Sequence, residues 1–283
     1  MFSNAYIEIT NICNLSCSFC HGTKRAPRTM SEEEFQRALS QVAPWAKTVF
    51  FHLLGEPLLH PLLPSFIKKV KALGINPVLT TNGTLLSKKG AEVIESDPYK
   101  VNISLHSFEA NKMGIPFEEY VNNVLDFAQN AASKGIFVIL RLWNDGGLDK
   151  LNDPIIQKCH KRFSDEWVLN PRTKGSLSYR IADRIFIEWD SKFEWPDTSA
   201  PKYEGDCYCH GLKMQIGILS DGSVVPCCLD SEGDITLGNI FTENLEDILS
   251  SPRALGILDG FKQRKAIEEL CLRCEYRTRF SKN

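Results

Sequence analysis

The chain has 283 residues, with 33 Lys plus Arg against 35 Asp plus Glu and a formal net charge of −2. That balance excludes the basic field that polymeric nucleic acid requires and the polybasic run that holds a protein on a membrane surface. No apolar run approaches the ~20 residues of a membrane span, and the length suffices for one large domain with a smaller one beside it.

Met-Phe-Ser-Asn at the start has no basic region followed by a long apolar stretch, so a cytoplasmic location is expected. In a reducing compartment the ten cysteines read as metal ligands rather than disulfides. Ala5-Tyr-Ile-Glu-Ile9 reads as a strand, and Cys13-Asn-Leu-Ser-Cys17-Ser-Phe-Cys20 follows it directly. Three thiolates at this spacing can hold three corners of a [4Fe–4S] cube. No fourth cysteine follows nearby, so one iron would stay open. The alternative is half a zinc site, but zinc ribbons pair C-x2-C with a second C-x2-C or an H-x3-5-H, and His21 is badly placed beside Cys20.

Ser31 followed by three glutamates reads as an N-cap with an acidic first turn, opening a helix through about Val42. Thr48 to Leu54 is an apolar run of strand length closed by Gly55-Glu-Pro57. Ser65 to Leu73 has helical periodicity. Asn76 to Thr81 reads as a strand ending in the turn pair Asn82-Gly83. Leu85 to Ile94 is a helix, Val101 to Leu105 a strand, Phe117 to Ser133 a long helix, and Ile136 to Leu142 an apolar strand. Residues 151 to 190 are less regular, but Arg184 to Trp189 supplies a sixth strand. Apolar strands alternating with amphipathic helices imply βαβ units and a parallel sheet covered by helices, an α/β fold.

The three-cysteine loop after the first strand resembles that of the radical S-adenosylmethionine (radical SAM) superfamily. The resemblance implies a partial (β/α)6 TIM-like barrel over residues 1–190, with chemistry at the C-terminal strand ends. It implies that Cys13, Cys17 and Cys20 bind a [4Fe–4S] cluster whose open iron takes S-adenosylmethionine, which is cleaved reductively to a 5′-deoxyadenosyl radical. Gly55-Glu56-Pro57 matches the family's G-G-E-P motif except that Leu54 replaces the first glycine. By resemblance Gly55 and Glu56 meet the methionine ammonium, and Asn82, Ser104 and His106 touch ribose and carboxylate. Phe19 resembles the aromatic beside the adenine. Arg141, a cation in an apolar strand, either forks onto a carboxylate of the cofactor or pairs with Glu8 or Glu188.

In the last third, Cys209, twelve residues, Gly222, four residues and Cys227 precede a long gap and Cys271-Leu-Arg-Cys274. Ile216 to Val225 is a hairpin with Asp221-Gly222 at its turn. The pattern resembles the SPASM domain in its shorter "twitch" form, a small hairpin-plus-helix unit over residues 191–283. It implies a second, auxiliary [4Fe–4S] cluster on Cys209, Cys227, Cys271 and Cys274. Four thiolates complete such a cluster, which suits electron transfer or structure, and a structural zinc is the alternative. Cys207 and Cys228 each neighbour an expected ligand and could exchange with it or remain a free thiol. Cys159 stands alone and reads as a buried small hydrophobe.

The expected activity is hydrogen abstraction from a small polar metabolite, a modified nucleobase or nucleoside among them, with a lyase or dehydrogenase outcome and flavodoxin or ferredoxin as reductant. No leader-binding module precedes the first strand, which favours a small molecule over a peptide. Candidate pocket residues are Glu8, Thr10, His52, Asn102, Trp143, Asn144, Glu188 and Asp190. Peptide maturation is the second reading. A non-catalytic iron–sulfur electron carrier is the third.

Overall fold

The structure, a computed structural model, describes residues 2–163, 166–170, 177–192 and 194–280. Its strands are β1 (Asn4–Ile7), β2 (Thr48–Phe50), β3 (Asn76–Thr81), β4 (Lys100–Ser104), β5 (Phe137–Asp145), β6 (Val168–Leu169), β7 (Leu177–Ala182) and β8 (Ile185–Ser191), then β9 (Gln215–Ile218), β10 (Ser223–Val225) and β11 (Gly238–Asn239). All lie in one open sheet, in the order β11-β10-β9-β1-β2-β3-β4-β5-β8-β7-β6. The six central strands from β1 to β5 and β8 run parallel, as the sequence pattern requires. The crossovers carry α1 (Glu32–Val42), α2 (Leu63–Ala72), α3 (Leu86–Ser96), α4 (Phe117–Ser133) and α5 (Asn152–Arg162). The C-terminal part adds α6 (Leu245–Leu249), α7 (Pro252–Lys262) and α8 (Glu269–Leu272).

Local chemistry accounts for these elements. Ser31 and Glu34 form a reciprocal capping box at the start of α1, each side chain taking the other's backbone N–H. One face of α1 buries Phe35, Ala38, Leu39 and Val42, and the Phe35 ring stacks on Phe66 of α2 at 3.9 Å between centroids. Each buried Phe, Leu or Val side chain of this kind is worth roughly 1.5–3 kcal/mol. Cys159 on α5 is fully buried in the same core, behaving as a small apolar side chain. Strand β2 stops at Phe50, shorter than the apolar run to Leu54, because the chain leaves the ladder there to enter the loop before Gly55.

The C-terminal hairpin β9–β10 turns at Asp221-Gly222, where Gly222 has φ +88° and a Cβ would stand 2.5 Å from the Phe241 ring. Strand β9 pairs in parallel with β1 through Asn4–Gln215 to Ile7–Ile218, so the hairpin extends the central sheet.

One ion pair binds the two parts where they meet. Glu8, with no exposed surface, accepts both oxygens' worth of contact from Arg25 Nη2 at 2.7 and 2.8 Å. It also accepts the backbone N–H of Ser220 and of Leu54 at 3.2 Å each. Arg25 Nε in turn donates to the Ser231 carbonyl at 2.9 Å. Removing one member of a buried pair strands the other charge. Arg25→Met is therefore expected to lower the stability of the apo chain by about 3–5 kcal/mol in urea unfolding, and Glu8→Met with Arg25→Met to recover part of it. A loss below about 1 kcal/mol for Arg25→Met would mark the pair as no better than a surface contact.

Candidate active site

The cysteine loop lies between β1 and α1 and walls a cavity of about 450 Å³ together with Gly55, Glu56, Asn82 and Ser104. Its sulfurs are met by hydrogen-bond donors. Asn111 Nδ2 points at Cys17 Sγ from 3.1 Å, and the backbone N–H groups of Leu15 and Gly22 lie 3.5 and 3.4 Å from Cys13 and Cys20 Sγ. Donors aimed at sulfur favour the thiolate, while burial pushes the Cys17 thiol up to about 11 and the Cys13 thiol up as well. Loss of those protons calls for a cationic partner, and three thiolates at one cavity wall suit an iron–sulfur cluster. Trp195 pins the loop, donating Nε1–H to the Phe19 carbonyl at 3.2 Å and stacking on His21 at 4.6 Å.

The strand ends are tied together by Glu56. Its buried carboxylate accepts the Thr81 hydroxyl at 2.8 Å and the backbone N–H groups of Asn82 and Leu58 at 2.8 and 3.0 Å. Burial lifts its carboxyl to about 7 against those bonds. Gly55 is fixed by necessity: φ is +78° and a Cβ would stand 2.2 Å from the Thr10 carbonyl oxygen. Asn82 reaches back to the cysteine loop through Asn14 at 3.0 Å.

A second cavity of about 290 Å³ adjoins the first, and Phe19, His52, Leu53, Thr80, Ser104 and Trp195 line both. Its other walls include Tyr6, Phe50, His106, Arg141, Trp143, Cys228 and Tyr276. Arg141 stacks over Trp143 at 4.2 Å, lies 4.0 Å from Glu188, and its buried Nε has no hydrogen-bond partner. Burial and then the Arg141 charge hold His52 down at about 3, so it is a neutral imidazole, with its buried Nδ1 unpartnered. His106, lowered to about 4 mainly by burial, meets the Arg141 carbonyl at 3.0 Å and Phe19 at 4.8 Å.

The expected lining of carboxylates is not what the fold builds. Glu8 is spent on Arg25, and neither Glu188 nor Asp190 lines either cavity, the former being drawn toward Arg141. Asn144 bonds Leu148 and Asn152 instead, Thr10 bonds Thr29 and Arg28, and Asn102 bonds Thr80. The charged groups at the second cavity are Arg141 and Lys192. Of the residues expected at the cofactor, Gly55, Glu56 and Asn82 face the first cavity, His106 and Arg141 the second, and Phe19 and Ser104 both. Tyr6, Trp195, Cys228 and Tyr276 were not singled out as pocket residues by the sequence pattern. Tyr6 alone had a signal, lying two residues before Glu8 on the same strand face.

Cys209, Cys227, Cys271 and Cys274 gather at a third, smaller chamber, together with Cys207, Asp230 and Arg277. Gly211 N–H lies 3.3 Å from Cys209 Sγ, again favouring a thiolate. Cys228 points the other way, into the second cavity, where the Tyr6 hydroxyl bonds it and burial pushes its thiol up to about 12. Adjacent cysteines thus face different chambers, and Cys228 is removed from the auxiliary site.

Comparison with known proteins agrees with this geometry. The model of the radical SAM superfamily matches residues 7–151, and that of the SPASM iron–sulfur cluster-binding domain matches residues 207–275. The chain is 33% identical over 291 residues to a probable GTP 3′,8-cyclase of Sulfolobus acidocaldarius, covering 89% of this chain and 91% of that one. It is 28% identical to a probable GTP 3′,8-cyclase of Thermoplasma volcanium, covering 84% and 83%. Among solved structures it shares its fold with BtrN in complex with AdoMet and 2-DOIA, with a TM-score of 0.61, 17% identity, and coverage of 97% and 93%. SuiB of Streptococcus suis bound to S-adenosylmethionine gives 0.62 at 18% identity, covering 90% and 68%.

Iron and sulfide analysis of protein purified anaerobically is expected to give about two [4Fe–4S] clusters per chain. Cys271→Ala with Cys274→Ala is expected to leave one, and Cys228→Ser to leave both. Loss of a cluster in Cys228→Ser would return that residue to the ligand set.

Proposed function

The chain belongs to the radical SAM superfamily, and from that premise we propose that it abstracts hydrogen from a small polar metabolite, with a purine nucleotide as the favoured class. It is a radical SAM enzyme whose cofactors are a SAM-binding [4Fe–4S] cluster, S-adenosylmethionine and an auxiliary iron–sulfur cluster. The observation that carries the reading is the shared wall: the cavity beside Cys13, Cys17 and Cys20 continues into a second one of about 290 Å³. When bound and reduced, the cofactor set supplies a 5′-deoxyadenosyl radical able to take hydrogen from carbon.

The protein's own residues bind, orient and exclude water. Cys13, Cys17 and Cys20 hold the first cluster, and Cys209, Cys227, Cys271 and Cys274 the second. Gly55 offers backbone at close approach, and Glu56 keeps the ends of β2 and β3 together. Arg141, with an open Nε, and Ser104 suit the cofactor's carboxylate. Phe19, Trp195 and His106 wall the junction with rings. Neutral His52, at that junction, has a ring nitrogen left for the substrate. A cavity of this size with Tyr6, Phe50 and Tyr276 on its walls suits a planar ring rather than a long peptide. The nucleotide class draws on the relatives named as GTP 3′,8-cyclases, matched over most of both chains. We assign radical generation to residues 1–190 and the auxiliary cluster to 191–283, with flavodoxin or ferredoxin as reductant. No helix among the described residues is long and apolar enough to cross a membrane.

Anaerobically reconstituted protein with dithionite and S-adenosylmethionine is expected to release 5′-deoxyadenosine, and the triple Cys→Ala variant at 13, 17 and 20 to release none. With deuterated GTP or guanosine nucleotides as probes, deuterium is expected in the 5′-deoxyadenosine. Deuterium transfer from a labelled peptide, with no free metabolite supporting turnover, would favour the peptide reading and contradict this one.

A further inference from the structure

The auxiliary chamber contains a charge that its thiols alone leave unbalanced. Arg277, in the short 3₁₀ segment Glu275–Phe280, is only 4% exposed and lines the chamber. Its Nη2 donates to the carbonyls of Tyr203 and Gly205 at 2.8 and 3.2 Å, and its Nη1 to that of Cys271 at 3.5 Å. The Cys207 side chain bonds it as well, and the Arg277 charge reaches Cys209 and Cys274. None of those carbonyls carries a charge, and among the described residues no carboxylate forms an ion pair with Arg277. Asp230, the carboxylate of the chamber, gives its two oxygens to the backbone N–H groups of Asp234 and Ile235 at 2.9 Å each.

A guanidinium this deep without a counter-charge is costly, and protein folds rarely retain one. Four thiolates around a [4Fe–4S] core carry net negative charge, and that charge tunes the cluster's potential. We propose that Arg277 is the built-in counter-ion of the auxiliary cluster and raises its reduction potential, equipping it to accept an electron. Cys207 lines the same chamber and takes a hydrogen bond from Arg277. Each added electron makes the cluster more negative, so a fixed cation close by favours the reduced state. Asp230 opposes it, but its charge is already shared with two backbone dipoles.

The inference rests on the assignment of this chamber to a cluster, and the test separates the two. Potentiometric titration followed by electron paramagnetic resonance would compare the wild type with Arg277→Met and Arg277→Lys, with iron and sulfide counted on the same samples. In Arg277→Met the auxiliary cluster is expected to become about tenfold harder to reduce, a fall of about 59 mV for a one-electron couple, with the SAM-binding cluster unmoved. Arg277→Lys, which keeps the charge, is expected to retain most of the wild-type value. Two intact clusters with an unmoved auxiliary potential in Arg277→Met would overturn the proposal. A wild type holding one cluster alone would overturn the assignment beneath it, and the proposal with it. Should Arg277→Met load no second cluster, Arg277→Lys decides: a loaded cluster near the wild-type potential supports the counter-ion role, and an empty site contradicts it.

Discussion

A carboxylate with no exposed surface, Glu8, and the guanidinium that meets both its oxygens, Arg25, set the position of everything around the first cavity. Glu8 stands at the end of the first strand, and Arg25 on the return leg of the cysteine loop. Through the N–H groups of Leu54 and Ser220 the same carboxylate fixes the turn before Gly55 and the tip of the C-terminal hairpin. Arg28 adds a second tie, donating Nε–H to the Ser220 carbonyl at 2.7 Å. The loop that carries three thiols is thus clamped between barrel and hairpin. A buried pair of this kind is weak evidence for net stability and strong evidence for a fixed arrangement, because either partner alone is unfavourable.

The fold leaves three chambers among these elements. The first holds the thiols of the loop, the second adjoins it through a wall of rings, and the third gathers the C-terminal thiols. Cys227 and Cys228 join the last two, because the chain bends and turns directly after β10 and sends the two side chains to different chambers. The third chamber is one residue removed from the second cavity. That proximity suits an electron relay, and under the proposed four-cysteine ligand set the auxiliary cluster would keep no open position of its own.

The sequence carried the local parts of this arrangement and not the long-range ones. Phe117 to Ser133 reads as a helix to the residue, because a long amphipathic stretch outweighs its neighbours. The capping box at Ser31, the turn at Asp221-Gly222 and the three-cysteine loop are equally local. The parallel pairing of β9 with β1 joins residues about 210 positions apart and leaves no trace in either segment. Glu8 reads as an inward carboxylate, which it is. Its partner Arg25 sits in an irregular loop with no period to place it, so the carboxylate resembled a ligand for substrate. Cys228 was ambiguous for a similar reason, since only the course of the backbone after β10 decides which chamber it faces. The short strands β6 and β7 fall in the region where the hydrophobic pattern is weakest.

The central claim is that one iron, held by the loop of Cys13, Cys17 and Cys20, is open to S-adenosylmethionine. Electron paramagnetic resonance of the reduced protein, with and without S-adenosylmethionine, tests it directly. The account predicts that the signal of one cluster changes on addition, and that the same change occurs when Cys271 and Cys274 are both alanine. A spectrum indifferent to S-adenosylmethionine, or a change confined to the auxiliary cluster, would contradict it.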